Sequence, residues 1–212
     1  MPDTVNQATT GTRDRILDAA EDLFAEKGYS GASVKIIGKR VGVTGAMINY
    51  YFQSKENLYR AVVDRIVDQL EQMAFKIIAT RKPPIVRLEI YLHWFFDYVA
   101  QHPNFSRMTI MGVGGTEREH LNEIFRKRVR PLYKLGVRFF ETGIENGVFL
   151  PVDVKALLLT IYAAIFTHVA ERNFIQMITG YDPADPAELQ RQKDALVDMV
   201  FRLLGVKRNA AD

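Results

Sequence analysis

Residues 33–56 read SVKIIGKRVGVTGAMINYYFQSKE, and this stretch decides the fold. Ser33 opens a short segment and can accept from the backbone N–H groups that a first helical turn leaves without partners. Val34, Ile37 and Val41 then recur at three and four, so one face of a helix is apolar. Gly42 stands where that helix must end, and glycine takes a left-handed C-terminal conformation without steric cost. Val43 plugs the turn. Thr44 can cap a second helix, in which Ile48 and Phe52 form an inward stripe while Gly45, Ala46, Asn49 and Tyr50 face outward. This is the pattern of a helix-turn-helix. Its second helix begins with small residues and turns polar and aromatic, which suits close approach to the major groove of DNA.

Charge is concentrated on the same stretch. The whole chain carries a formal net charge of only +3. Residues 33–60 alone hold Lys35, Lys39, Arg40, Lys55 and Arg60 against Glu56, a net of +4, whereas residues 1–32 sum to −3. A localised basic footprint of this kind fits one nucleic-acid contact rather than general coating. Lys35 and Lys55 each follow a cap residue, Ser33 and Ser54, and so sit in the first turn of a helix, where a cation opposes the helix dipole by about 0.3–1 kcal/mol. A phosphate at each helix start reverses that sign, because dipole and lysine then attract it together. The alternative is that each lysine points into water.

The region from Thr12 to about Tyr59 resembles the DNA-binding domain of the TetR/AcrR family of bacterial transcriptional regulators. The resemblance rests on the order of its pieces: TRDRILDAAEDLFAEKGYSGAS as first helix and exit, the helix-turn-helix, and YFQSKENLYRAV opening a long fourth helix. It implies an all-α protein with an N-terminal three-helix DNA-binding domain and a larger C-terminal helical domain for ligand binding and dimerisation. It also implies a homodimer on a palindromic double-stranded DNA operator, released by a small-molecule effector. The expected organisation is a flexible arm over 1–11, the DNA-binding domain over 12–58, the effector and dimerisation domain over 59–205, and a flexible tail over 206–212. The residues expected at DNA are Lys35, Thr44, Gly45, Ala46, Met47, Asn49, Tyr50, Tyr51 and Lys55.

One departure from the family bears on sequence readout. Where many members have Leu-Tyr-X-Tyr-Phe, this chain has Ile48-Asn49-Tyr50-Tyr51-Phe52, so a tyrosine that commonly holds a phosphate is replaced by asparagine. Asparagine can bond bidentately to adenine, so Asn49 is a candidate base reader. Gly45 and Ala46 offer no side-chain hydrogen bonds, and Met47 offers an apolar tip suited to a thymine methyl. Direct readout is therefore thin, with phosphate contacts and duplex shape expected to supply much of the specificity.

At 212 residues and 48% hydrophobic content, the chain is long enough for a small domain and a larger one. It contains no cysteine, which removes disulfides and thiolate metal sites and suits a reducing compartment. No signal-peptide pattern opens it and no apolar run reaches membrane-spanning length, so a soluble, cytoplasmic protein without membrane partners is expected. Beyond the helix-turn-helix the periodicity predicts helices over Ser54–Thr80, Ile85–Ala100, Phe105–Met111, Glu119–Asn146 with a kink or split at Pro131, Val154–Thr179 and Ala187–Leu204.

The segment ALLLTIYAAIFTHVA, residues 156–170, is apolar nearly all the way round and must be covered on both sides. With Leu196, Val200 and Leu203 of the last helix, and Ala163 and Ala164 permitting close approach, a two-fold four-helix interface is the simplest use of that surplus. The alternative is a deep monomer core.

Catalytic chemistry is poorly represented. His93 and Asp97 share a helix face, but no second motif supplies further ligands, so an intrahelical hydrogen bond or separate polar contacts are expected rather than a metal or acid–base pair. Gly112-Val113-Gly114-Gly115 follows no strand and cradles no phosphate. No catalytic residue, metal or cofactor is assigned. Trp94, Tyr98, Met108, Met111 and His168 are the candidate effector contacts, His168 being a lone histidine among apolar neighbours. The run Arg126-Lys127-Arg128 with Arg130 reads as a solvated face, or as the partner of an anionic effector. The competing function class is a small helical enzyme or ligand carrier with a helix-turn-helix-like pair, and His93/Asp97 is its best support.

Overall fold

The computed structural model describes residues 11–114 and 122–207, the side chains of 110–114 excepted. Every regular element among these residues is helical: α1 (Thr12–Gly31), α2 (Val34–Val41), α3 (Gly45–Phe52), α4 (Lys55–Ala79), α5 (Pro84–Gln101) and α6 (Pro103–Gly114). After the undescribed residues come a π-helical turn, Phe125–Val129, and then α7 (Arg130–Glu145), α8 (Val154–Ala170), α9 (Arg172–Thr179) and α10 (Pro186–Leu203). The expected arm over 1–10, the start of the helix placed at Glu119, the side chain of Met111 and the tail beyond residue 207 lie outside the described residues.

The chain divides into two compact units, one of residues 1–67 and 107–124, the other of residues 68–106 and 125–212. In the first unit, Ile16, Ala20, Leu23 and Phe24 of α1 pack with Ile37 of α2, Ile48 of α3 and Leu58 and Val62 of α4, all essentially inaccessible. The Phe24 ring meets Tyr59 edge-on at 4.8 Å. Arg65 of α4 ties back to α1 through Asp18 and Glu21, at 2.6 Å each.

In the second unit, Leu88, Leu92, Phe95, Phe96 and Val99 of α5 form one cluster with Ile161, Ile165 and Phe166 of α8 and Val197, Val200 and Phe201 of α10. Phe140 of α7 joins them, and Gly143 one turn on lets Phe149 pack where a Cβ would lie 2.2 Å from its ring.

One expectation for the C-terminal helices is corrected and another is resolved. The helix read as continuous over Val154–Thr179 breaks at Glu171, whose backbone leaves the helical region at φ −99° and ψ 29°. α9 departs from α8 at 83°. Its new direction is held by Arg172, which donates to both carboxylate oxygens of Asp182 at 2.8 and 2.6 Å. This pairing joins a helix residue to the loop ten residues on, so helical periodicity carries no trace of it. Pro131 stands where the expected helix divides in two, one of the two outcomes its sequence position predicts. It occupies the first turn of α7, where a missing N–H costs least, and the irregularity lies just before it as the π turn.

Candidate functional site

The helix-turn-helix is built by its caps. Ser33 Oγ accepts from the Ile36 amide at 3.3 Å, and Thr44 Oγ1 accepts from the Met47 amide at 3.2 Å. Gly42 ends α2 in the left-handed region at φ 75°. The turn is tight because the Val43 amide donates to the Gly38 carbonyl at 2.9 Å, and a Cβ on Gly38 would stand 2.6 Å from the Val43 carbonyl oxygen. The angle between α2 and α3 therefore depends on Gly38, a position that the reading of the turn residues alone overlooks.

This frame fixes which face of α3 is outward. Ile48 and Phe52 are buried, while Thr44, Ala46, Met47, Asn49, Tyr50 and Tyr51 are exposed and Gly45 is half-exposed. Tyr50 is 83% exposed, an unusual degree for a tyrosine, and among the aromatic rings of the described residues it meets only Tyr51, edge-on at 5.4 Å. The chain leaves α3 through Gln53 at φ 66°, the one non-glycine residue with positive φ among those described. Ser54 then caps α4, its Oγ accepting from the Asn57 amide at 3.1 Å. Lys35 is exposed at the start of α2. Lys55 lies at the start of α4 with its ammonium 4.3 Å from the centre of the Tyr29 ring, so it is held by a cation–π contact rather than free in water.

In the second unit the expected effector residues separate. Tyr91, Trp94 and Tyr98 lie along one face of α5: the Trp94 and Tyr98 rings stack at 5.2 Å, and Tyr98 stacks on His102 at 4.3 Å. Tyr91 keeps some accessible surface, yet burial pushes its phenol pKa up to about 12.

His168 belongs to another face. Its ring centre lies 5.8 Å from that of Phe96, and residues two apart on a helix are turned by about 200°, which puts Phe96 nearly opposite Trp94. Burial holds the His168 imidazole below its ordinary value, an effect opposed by its bond to the Pro183 backbone and by Glu188. Its Nε2 is buried without a hydrogen-bond partner. Met108 is buried and belongs to the first unit, whereas Trp94 and Tyr98 belong to the second.

The other polar candidates resolve as structural contacts. Asp97 pairs with Lys193 of α10 at 2.8 Å, while His93 Nε2 is buried without a hydrogen-bond partner. No group of three or more potential ligands among the described residues could hold a metal ion. Within the basic run, Arg126, Lys127 and Arg130 are exposed, while Arg128 is half-buried and bound to Asp68 at 2.6 Å and Glu71 at 2.7 Å.

The residues expected at a dimer face also divide. Leu196 and Val200 are 7% and 0% exposed and belong to the subunit's own core, a correction to the expected interface. Helical spacing placed them on one apolar stripe with Leu203 but could not say which part α5 and α8 would cover. Ala163, Ala164 and Leu203 remain on the surface, beside exposed Leu159, Tyr162 and Met199.

Known proteins share both parts of this arrangement. Residues 16–62 match the family model described as bacterial regulatory proteins, tetR family, and residues 84–200 match a tetracyclin repressor-like C-terminal domain. The HTH-type transcriptional repressor NicS of Pseudomonas putida is 26% identical over 84% of this chain and 85% of its own. An uncharacterized HTH-type transcriptional regulator of Lactococcus lactis is 30% identical over 81% of this chain and 93% of its own. Among solved structures, a transcriptional regulator of the TetR/AcrR family from Thermobifida fusca superposes with a TM-score of 0.63 at 27% identity, covering 92% of this chain and 98% of that one. The chain belongs to the tetR family of bacterial regulatory proteins.

Proposed function

We propose that the protein is a ligand-responsive transcriptional repressor. It binds a palindromic double-stranded DNA operator as a homodimer and is released by a small, largely apolar molecule. The observation that carries this reading is the outward face of α3, where Met47, Asn49, Tyr50 and Tyr51 stand exposed on a capped helix whose opposite side is buried. Asn49 is the base reader of this face. Lys35 and Lys55 are the phosphate anchors, each at a helix start where dipole and charge act together. DNA binding belongs to residues 12–58, and effector binding and dimerisation to 59–205. The cysteine-free chain suits the reducing cytoplasm where operators are found.

Dimerisation uses the apolar surface that the subunit leaves open on α8 and α10. Leu159, Tyr162 and Leu203 are 61%, 37% and 51% exposed, and Ala163 and Ala164 between them let a partner helix approach closely. The effector lodges on the Tyr91–Trp94–Tyr98 face of α5. α4 is one uninterrupted helix of 25 residues that starts beside the reading helix, at Lys55, and ends in the second unit. A ligand that biases its tilt changes the spacing of the two reading helices. A tenfold loss of operator affinity requires about 1.4 kcal/mol of preference for the non-binding spacing.

A gel shift on the DNA upstream of the gene tests this reading. Binding should be tight and should weaken steeply as salt rises, because lysine–phosphate contacts release counterions. A protein that retards no fragment, or all fragments equally, contradicts it.

A further inference from the structure

Four arginines among the described residues are half-buried: Arg60, Arg65, Arg87 and Arg128. A guanidinium taken partly out of water is expected to be paired with a carboxylate, because its desolvation is otherwise uncompensated. Three of the four obey this. Arg60 is bound to Glu56, Arg65 to Asp18 and Glu21, and Arg128 to Asp68 and Glu71. Arg87 is the exception: among the described residues it makes no ion pair, and while its Nε, like that of Arg60, is buried without a hydrogen-bond partner, no carboxylate compensates it. What it does contact is apolar, its guanidinium carbon lying 5.5 Å from the centre of the Phe139 ring of α7. A cation–π contact orients the guanidinium plane without consuming its N–H donors.

Its position along α5 gives this exception a direction. Residues 87, 91, 94 and 98 are spaced by four, three and four, the repeat that keeps side chains on one helix face. Arg87 is thus the first member of the face that continues through Tyr91, Trp94 and Tyr98, whose last two rings stack at 5.2 Å. From Arg87 to Tyr98 the helix rises roughly 17 Å. The face is elongated, aromatic over most of its length, and cationic at one end only. Glu89, two residues on, is turned about 200° away and does not share it.

We propose that Arg87 receives the anionic end of the effector, and that the effector is an elongated apolar molecule ending in a carboxylate, its body lying along Tyr91, Trp94 and Tyr98. The inference deepens the effector reading given above and rests on it. It also assigns anion recognition to a residue outside the basic run, whose Arg128 is already engaged by two carboxylates of α4. The planar fork of Arg87 offers two parallel donors to a carboxylate, a geometry that neither an alcohol nor an amide can use in the same way.

Trp94 is the sole tryptophan of the chain and lies on the proposed face, so its fluorescence reports occupancy directly. Decanoate and decanol, which share an alkyl chain and differ in the terminal group, are the probes, titrated into the full-length wild type, Arg87→Met and Arg87→Lys. Decanoate should bind the wild type at least about tenfold more tightly than decanol, as a charge-assisted bond demands. Arg87→Met should abolish that preference while leaving decanol within about twofold of its wild-type affinity, and Arg87→Lys should keep only part of it. Unchanged thermal unfolding of the variants separates a lost contact from a lost fold. Equal binding of the two probes by the wild type, a preference that survives Arg87→Met, or no response of Trp94 to either probe overturns the proposal. A wild type that binds no DNA refutes the repressor reading separately, whatever decanoate does.

Discussion

The Lys55 ammonium lies 4.3 Å over the ring of Tyr29, which joins the start of α4 to the end of α1. The lysine expected to hold a phosphate therefore has a fixed seat before any DNA arrives, and ordering it on binding costs little rotamer entropy. Tyr29→Leu removes the seat and keeps the charge. It should weaken operator binding by a few-fold, whereas Lys55→Ala should weaken it more and reduce the salt slope by about one. Each change should cost roughly 0.5–1 kcal/mol of stability in urea unfolding. Equal operator affinity for Tyr29→Leu and wild type would show that the contact does not prepare the lysine.

Asn49 and Tyr50 are both exposed on α3 but are assigned different tasks. Asn49→Ala should change the order of preference among operator variants, with about 1–3 kcal/mol lost at one base pair and little elsewhere. Tyr50→Ala should weaken all variants alike. Binding measured on a panel of single-base operator variants distinguishes these patterns. A uniform loss for Asn49→Ala makes position 49 a phosphate contact.

The open apolar strip on α8 predicts a dimer. Light scattering should give a mass near twice 24.2 kDa at micromolar concentration. Ala164→Glu places a carboxylate in that strip without a partner, and should cost the interface roughly 3–5 kcal/mol and yield monomers. A wild type already monomeric at that concentration removes the four-helix interface from the account.

Two buried titratable groups give the second unit opposite pH limits. Burial lowers the His168 pKa from 6.5, so the folded state holds the neutral ring. Its contribution to stability is present above about pH 6.5 and is lost as pH falls through the lowered value. Tyr91 is raised from 10.0 to about 12, so its contribution is present below pH 10 and is lost as pH rises toward 12, on the order of 2–3 kcal/mol in total. Chemical denaturation across pH should show both losses. His168→Phe should flatten the acid side and Tyr91→Phe the alkaline side, and curves unchanged by these substitutions would refute the assignments.

Much of the DNA-binding head was legible in the sequence because it is written in local rules. Ser33, Gly42, Thr44 and Ser54 act within a few residues of themselves, and each cap or turn lies where its chemistry places it. The second unit was legible in its helices but not in their partners. The break at Glu171 is accompanied by Arg172 meeting Asp182, and the loss of Leu196 and Val200 from the outer face depends on α10 packing into the core. The role of Arg87 is absent from the sequence pattern for the same reason. An arginine in a helix is unremarkable until it is known to make no ion pair, and that is a property of the packed unit alone. His168 drew notice from the apolar residues beside it in sequence, yet α5 turns Phe96 toward it and Trp94 away.

Selection of bound fragments from random double-stranded DNA by the purified protein tests the central claim most directly. The account predicts enrichment of one palindrome, with half-site centres about 34–36 Å apart, or one helical turn, as two reading helices on a two-fold axis require. Enrichment of a single unrepeated site, or of no sequence at all, would contradict it.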